Sequence, residues 1–367
     1  MSKVLIVEPR TSGHLLVYVR LLVDEALRRG DEVVLALAPN ASETAEYALH
    51  LAPVVDRVLV DVVALPLTLR SLQDQAKKCD ANLVVVPHAD EVASRLGLSI
   101  GQNPNVRLRL LIMRDPRWDE EGAWRHRARR MLKLSMLGLA AKVRNVDIVW
   151  LKGPSHANVE GSLAAVDPYV ATISFEETQS RAQTLRKAWE SVEPTFWFLI
   201  TGAVSPRKNP SLIINALLDL KERLPEARLG LAIIGPCDPV LLPEILDGLQ
   251  SLEDAGVRTF VNNQHITNDE MNIAVAAADA VVMAYSTSAP NSTLGKALVL
   301  GTSIVSAGSR TFQSHAAPLG AYTADLEMES LSQAMQAAKT AARPVARPSA
   351  LGTESFTDAL LGHHGEN

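Results

Sequence analysis

The sequence predicts an α/β fold built as two doubly wound parallel units in series. Three observations carry that expectation. Short aliphatic and β-branched runs alternate with longer stretches of helical period, the rhythm of parallel βαβ units. The runs are apolar at consecutive positions, as in strands covered on both faces. The rhythm also breaks and restarts near the middle of 367 residues, a length that suits two hydrophobic cores better than one.

The elements follow in order. "KVLIVE" (3–8) is the first strand, the loop "PRTSGH" comes next, and "LLVYVRLLVDEALRRG" reads as a helix closed by Gly30. "EVVLALA" (32–38) is the second strand. "NLVVVPHADE" (82–91), "RLRLLIMRDPR" (107–117) and "VDIVWLK" (146–152) continue the beat, with helical patterns between them. A proline and two acids interrupt it at "WESVEPT" (189–195), and a second cycle starts at "TFWFLITG" (195–202). That cycle runs through "ARLGLAIIG" (227–235), "VRTFV" (257–261), "ADAVVMAY" (278–285) and "TSIVSAG" (302–308). The expected organisation is a first unit over 1–190, a second over 191–341, and a tail over 342–367 that crosses back toward the first.

Composition narrows the class. With 47% apolar and 21% charged residues the chain has ample material for packed cores. A net charge of −5 gives no global reason to expect nucleic acid as a partner. Two cysteines, Cys79 and Cys237, form neither a disulfide framework nor a metal site, and they suit a reducing compartment. No apolar run reaches the length of a membrane span, and "KVLIVE" is too short for a signal-peptide core. A soluble, cytoplasmic protein is the expectation.

In open α/β sheets, ligands bind outside the carboxyl ends of the strands, so the loops after each strand matter most. After 195–202, Gly202 is followed by Arg207 and Lys208, then by Asn209 and Pro210 at the start of an amphipathic helix. Asn209 is a good N-cap residue and Pro210 suits the first helical turn. Two cations beside free helix N–H groups make a phosphate site; an ordinary solvated basic turn is the bland alternative. The loop "AYSTSAPNSTLGKALVLG" (284–301) brings Asn291, Ser292 and Thr293 to a second helix start, with Lys296 one turn further on. In the first half, Gly13 and His14 lie in the loop after the first strand, without the spaced glycines of a dinucleotide fingerprint, so NAD is not expected. His88, Asp90, Arg114 and Asp115 follow two further strands toward the same edge, where a structural role competes evenly with a functional one.

Taken in order, "GAVSPRKN", "LAIIGP", "AAADAVVMAYS" and "SAPNSTLGKALVLGTSIV" resemble the family-4-like glycosyltransferases of GT-B architecture. That resemblance implies two Rossmann-like domains facing across a cleft, the second binding a nucleotide-diphosphate sugar. It assigns the diphosphate to Lys208 and Arg207; the loops read above add Gly202, Asn291, Ser292, Thr293 and Lys296 as donor contacts, and Arg207, Lys208 and Arg114 are the catalytic candidates. Gly13, His14, His88, Asp90 and Asp115 fall on the acceptor or sugar side. Retention of anomeric configuration is implied; no cofactor beyond the nucleotide sugar is expected, and no carboxylate or histidine cluster in the sequence suggests a metal.

Three departures stand out. Ala203 occupies the position where relatives commonly have arginine. Ser288 and Lys296 replace a pair of glutamates, and a lysine cannot accept from ribose hydroxyls as a carboxylate does. The strand that commonly ends in His-Asp ends here in Arg114-Asp115. The departures keep two alternatives open: a non-catalytic nucleotide-sugar-binding or accessory protein, and a sugar-nucleotide epimerase. The segment 124–142 carries four arginines and one lysine between Arg125 and Lys133 with no acid, followed by an apolar stretch. It is a candidate for peripheral membrane contact, with a solvated helix face as the plainer reading.

Overall fold

A computed structural model describes residues 2–10, 15–63, 65–90, 92, 95, 105–113, 124–154, 163–189, 194–286, 292–308 and 310–362. Gly13, His14, Arg114, Asp115, Ser288 and Asn291 therefore lie outside the described residues. The chain forms two compact units. One comprises Met1–Lys152, Ala157–Val166 and Thr353–Asn367, the other Gly153–His156 and Asp167–Gly352.

The first unit holds a seven-stranded parallel sheet. Its strands are β1 (Lys3–Glu8), β2 (Glu32–Leu37), β3 (Leu59–Val62), β4 (Leu83–Val86), β5 (Arg107–Ile112), β6 (Val146–Lys152) and β7 (Ala164–Val166). Their order is β3-β2-β1-β4-β5-β6-β7, so the winding direction reverses between β1 and β4. Alternate β1 residues serve opposite cores. Val4 and Ile6 pack on one face with Leu16, Val19 and Leu22 of helix α1 (Leu15–Arg28), and Leu5 and Val7 on the other with Leu69 and Leu72 of helix α3 (Leu69–Lys78), the second helix α2 being Ala45–His50. Burial on both faces explains why these strands read as unbroken apolar runs.

The second unit holds a six-stranded parallel sheet ordered β10-β9-β8-β11-β12-β13. These strands are β8 (Phe196–Thr201), β9 (Leu229–Ile234), β10 (Arg258–Asn262), β11 (Ala280–Tyr285), β12 (Ser303–Gly308) and β13 (Tyr322–Ala324). Here the winding reverses between β8 and β11. Phe198, Ile200, Val282 and Val305 build the core on one face with Ile213, Leu217 and Leu331.

The remaining helices are α4 (Trp124–Ala140), α5 (Phe175–Trp189), α6 (Pro210–Arg223), α7 (Leu242–Asp254), α8 (Asn268–Ala277), α9 (Ser292–Leu300), α10 (Arg310–Ala316), α11 (Met328–Thr340) and α12 (Thr353–Leu361). Residues 167–189, grouped with the first unit on sequence alone, pack in the second. The cause is visible in α5. Trp189 lies 5.2 Å from the Trp197 ring and 5.6 Å from Phe260, and Arg186 pairs with Asp279 at 2.9 Å while donating to the Thr195 carbonyl. The break read at 189–195 is therefore not the boundary between the units, which falls earlier in the chain. Toward the C-terminus, α12 packs in the first unit: Phe356 lies 4.9 Å from the Tyr18 ring, and Arg29 pairs with Asp358 at 2.5 Å.

Candidate functional site

The reversal between β8 and β11 is where a doubly wound sheet opens a crevice at its carboxyl edge. The turn after β8 is built to fill that edge closely. Gly202 has φ +74°, and Gly235, after β9, has φ +130° and sits so near that a Cβ on it would come within 2.7 Å of the Gly202 carbonyl oxygen. Only residues without a Cβ permit this approach. Val204 N–H then donates to the Pro236 carbonyl at 2.8 Å and Asp238 N–H to the Val204 carbonyl at 2.9 Å, anchoring the turn to the end of β9.

Beyond it, Pro206–Lys208 forms one 3-10 turn. Arg207 projects outward with its guanidinium 5.2 Å from the centre of the Tyr285 ring, and its carbonyl accepts from Ser286 N–H at 3.0 Å. Asn209 departs from the capping role expected of it. Its backbone is left-handed, φ +46°, and its side chain makes no cap; instead the amide donates to the Ala284 carbonyl at 2.8 Å. The residue thus ties the β8 turn to the end of β11, across the reversal. Left-handed backbone is tolerated by asparagine better than by most residues.

Lys208 points the other way, inward. It is 5% exposed, and its Nζ donates to the Thr201 carbonyl at 2.5 Å. Burial, with the neighbouring Arg207 adding, holds its pKa down to about 7. The Thr201 hydroxyl has no hydrogen-bond partner among the described residues. One exposed guanidinium and one buried amine therefore flank the crevice.

Ser292 and Thr293 open helix α9; Thr293 is buried. Lys296, read as a donor contact, is also buried and is engaged by side chains of the protein. Its Nζ donates to the side-chain oxygens of Asn272 at 2.7 Å and Asn268 at 3.2 Å, and lies 5.6 Å from the centre of the Tyr169 ring. Burial lowers its pKa to about 8, against the attraction of Asp167 and Asp269. Asn272 in turn donates to the Val170 carbonyl at 2.9 Å. Lys296 is thus the hub of a polar cluster joining α8, α9 and the segment after Asp167. Sequence reading missed these partners because they lie 24 residues or more away along the chain.

In the first unit, Asp90 accepts from Met113 N–H at 2.9 Å and from Lys133 at 3.4 Å, which fixes the chain after β4 to the end of β5. His88 is half-buried after β4. Glu8 was not singled out on sequence, because an acid closing an apolar run reads as a solvated strand end. It is fully buried at the β1–β4 reversal. Its Oε1 accepts from Arg10 N–H at 2.9 Å, Oε2 has no partner among the described residues, and burial pushes its pKa up to about 8. A buried carboxyl with only one of its oxygens satisfied at such an edge is a functional candidate.

No protein-family model and no curated protein sequence matches the chain. Solved structures do. HepE of Anabaena in complex with UDP superposes with TM-score 0.59 at 13% identity, covering 99% of this chain and 94% of that one. WaaG, a glycosyltransferase involved in lipopolysaccharide biosynthesis, gives 0.58 at 13%, covering 98% and 93%. A structure described as a UDP-N-acetylglucosamine 2-epimerase from Listeria monocytogenes gives 0.53 at 11%, covering 98% and 94%. The likeness spans both units and nearly the whole of each chain: this protein has the GT-B fold, two Rossmann-like parallel sheets in one chain.

Proposed function

We propose that the protein is a glycosyltransferase that moves a sugar from a nucleotide-diphosphate donor to an acceptor. The observation that carries the reading is the pair Arg207 and Lys208 beside Gly202 at the reversal of the second sheet. Preorganised cations there would stabilise the charge that develops on a departing diphosphate. The fold agrees, since the Anabaena neighbour was solved with UDP. Gly202, Ser292 and Thr293 belong to the same carboxyl edge and would complete the donor site with Asn291. The acceptor would meet the carboxyl edge of the first sheet, near Gly13, His14, His88, Arg114 and Asp115. Retention of configuration is the outcome that the family-4-like resemblance implies.

Calorimetry with UDP, GDP and uridine tests binding, and a panel of nucleotide sugars then tests turnover. The expected result is UDP or GDP bound far more tightly than uridine by the wild type, with the difference lost in Lys208→Ala.

A second reading has its own support. With Lys296 committed to Asn268 and Asn272, no carboxylate stands at that position for a ribose, and a binding protein without transfer would retain the fold and the basic turn. Tight diphosphate binding with no turnover of any donor would favour it. Conversion of a donor sugar without an acceptor would point to epimerisation, as the Listeria neighbour's description suggests for that protein.

Helix α4 could bring the protein to a membrane surface. Met131 and Leu132 are 64% and 61% exposed beside the basic run 125–133. Among the described residues, no helix is long and apolar enough to cross a membrane.

A further inference from the structure

The described residues around Lys208 give its charge nothing to pair with. Its Nζ donates to the Thr201 carbonyl, and Met271 of α8 and Gly202 crowd the same spot, a Cβ on Gly202 falling 3.2 Å from Met271 Cε and 3.3 Å from Lys208 Nζ. The titratable groups that act on it are Arg207, which repels its charge, and the Cys237 thiol after β9. From α8, Asp269 is engaged with Thr172 and Glu270 with Thr267. From the end of β11 come Tyr285, whose ring lies beneath Arg207, and Ser286, held by the Arg207 carbonyl. Among the described residues no carboxylate completes the set, although a buried ammonium is costly without a counter-ion.

We propose that Lys208 makes this site specific for a phosphate that arrives together with a proton: the amine enters the complex as ammonium, and an anionic phosphate oxygen of the ligand becomes the counter-ion that the protein does not supply. The proposal rests on the nucleotide-diphosphate reading above and deepens it. In the free protein, burial leaves the amine titrating near pH 7, so at pH 8 most of the population is neutral. Discrimination between a nucleoside diphosphate and the bare nucleoside then depends on proton uptake and weakens as pH rises.

The test is calorimetry at pH 8 in buffers of different protonation enthalpy, with UDP and uridine as probes. The phosphates of UDP are already ionised there, so the proton must come to the protein. Close to one proton is expected per UDP and none per uridine, with UDP affinity falling about tenfold per pH unit above 8. In Lys208→Arg the guanidinium stays charged, so UDP should bind without proton uptake and without that pH dependence. In Lys208→Met, UDP should lose its advantage over uridine, with thermal melts confirming that the variant is folded. UDP binding to the wild type with no proton uptake, or with the same uptake in Lys208→Arg, overturns the proposal alone. Failure of the wild type to bind any nucleoside diphosphate instead overturns the reading on which it rests.

Discussion

The Lys296 ammonium lies 2.7 Å from the side-chain oxygen of Asn272, and that amide donates its own hydrogen to the Val170 carbonyl. The lysine holds the segment after Asp167 to helices α8 and α9. Lys296→Met would leave two amide oxygens without their donor, at a cost on the order of 1–3 kcal/mol. Lys296→Glu would set a carboxylate among amide oxygens and near Asp167 and Asp269, costing on the order of 3–5 kcal/mol. Urea unfolding measures both. UDP affinity of the folded Lys296→Met protein should match wild type; a marked loss would return Lys296 to the ligand.

Glu8 gives stability a pH dependence of definite sign. Its pKa is about 8 folded against an ordinary 4.5, so between those values the folded chain holds a proton that the unfolded chain has released. Its contribution is complete below pH 4.5 and is lost as pH rises through about 8. Glu8→Gln keeps an oxygen for Arg10 N–H and removes the titration. Urea midpoints measured from pH 5 to 9 should therefore fall more steeply for wild type than for Glu8→Gln. Parallel curves would show that Glu8 is ionised throughout.

Arg207 and Lys208 are neighbours with different physical duties. Arg207 is exposed over the Tyr285 ring, so Arg207→Ala should change stability by no more than about 0.5 kcal/mol. Loss of a charge-assisted phosphate contact should nevertheless weaken UDP binding by on the order of 1.5–3 kcal/mol. A variant that binds UDP normally would place the diphosphate elsewhere.

Gly202→Ala combines two penalties, left-handed backbone and a methyl 3.3 Å from Lys208 Nζ. Gly320→Ala supplies the control, with φ +79° and open space around its Cβ. Both should lose about 1–3 kcal/mol of stability from backbone strain. Only Gly202→Ala should also weaken UDP binding, because only there does the methyl displace the amine.

Sedimentation with anionic liposomes tests helix α4. Co-sedimentation at low salt that weakens at physiological salt, and is abolished by Met131→Glu with Leu132→Glu, is the expected pattern. Absence of the protein from the pellet in both salts would end the idea.

Consecutive apolar residues in "KVLIVE" and "TFWFLITG" were enough to announce buried parallel strands, since two-sided burial writes itself into the local sequence. The short outer strands β3, β7 and β13 left no such mark. In β3, Leu59, Val60 and Val62 are all exposed, so neither face imposes a pattern. Sequence also determined the glycine and the adjacent cations of the β8 turn, because a left-handed turn and a basic pair are local properties. Their opposed orientations were decided in three dimensions: Arg207 lies on Tyr285, and Lys208 turns to the Thr201 carbonyl. The same holds for Asn209, drawn from its cap by Ala284, for Lys296, claimed by Asn272, and for Glu8, whose burial no strand-end acid reveals. A residue's type and spacing set what it can bind; the groups that distant segments bring within 3 Å set what it does bind, because only they fix its solvation and its hydrogen bonds.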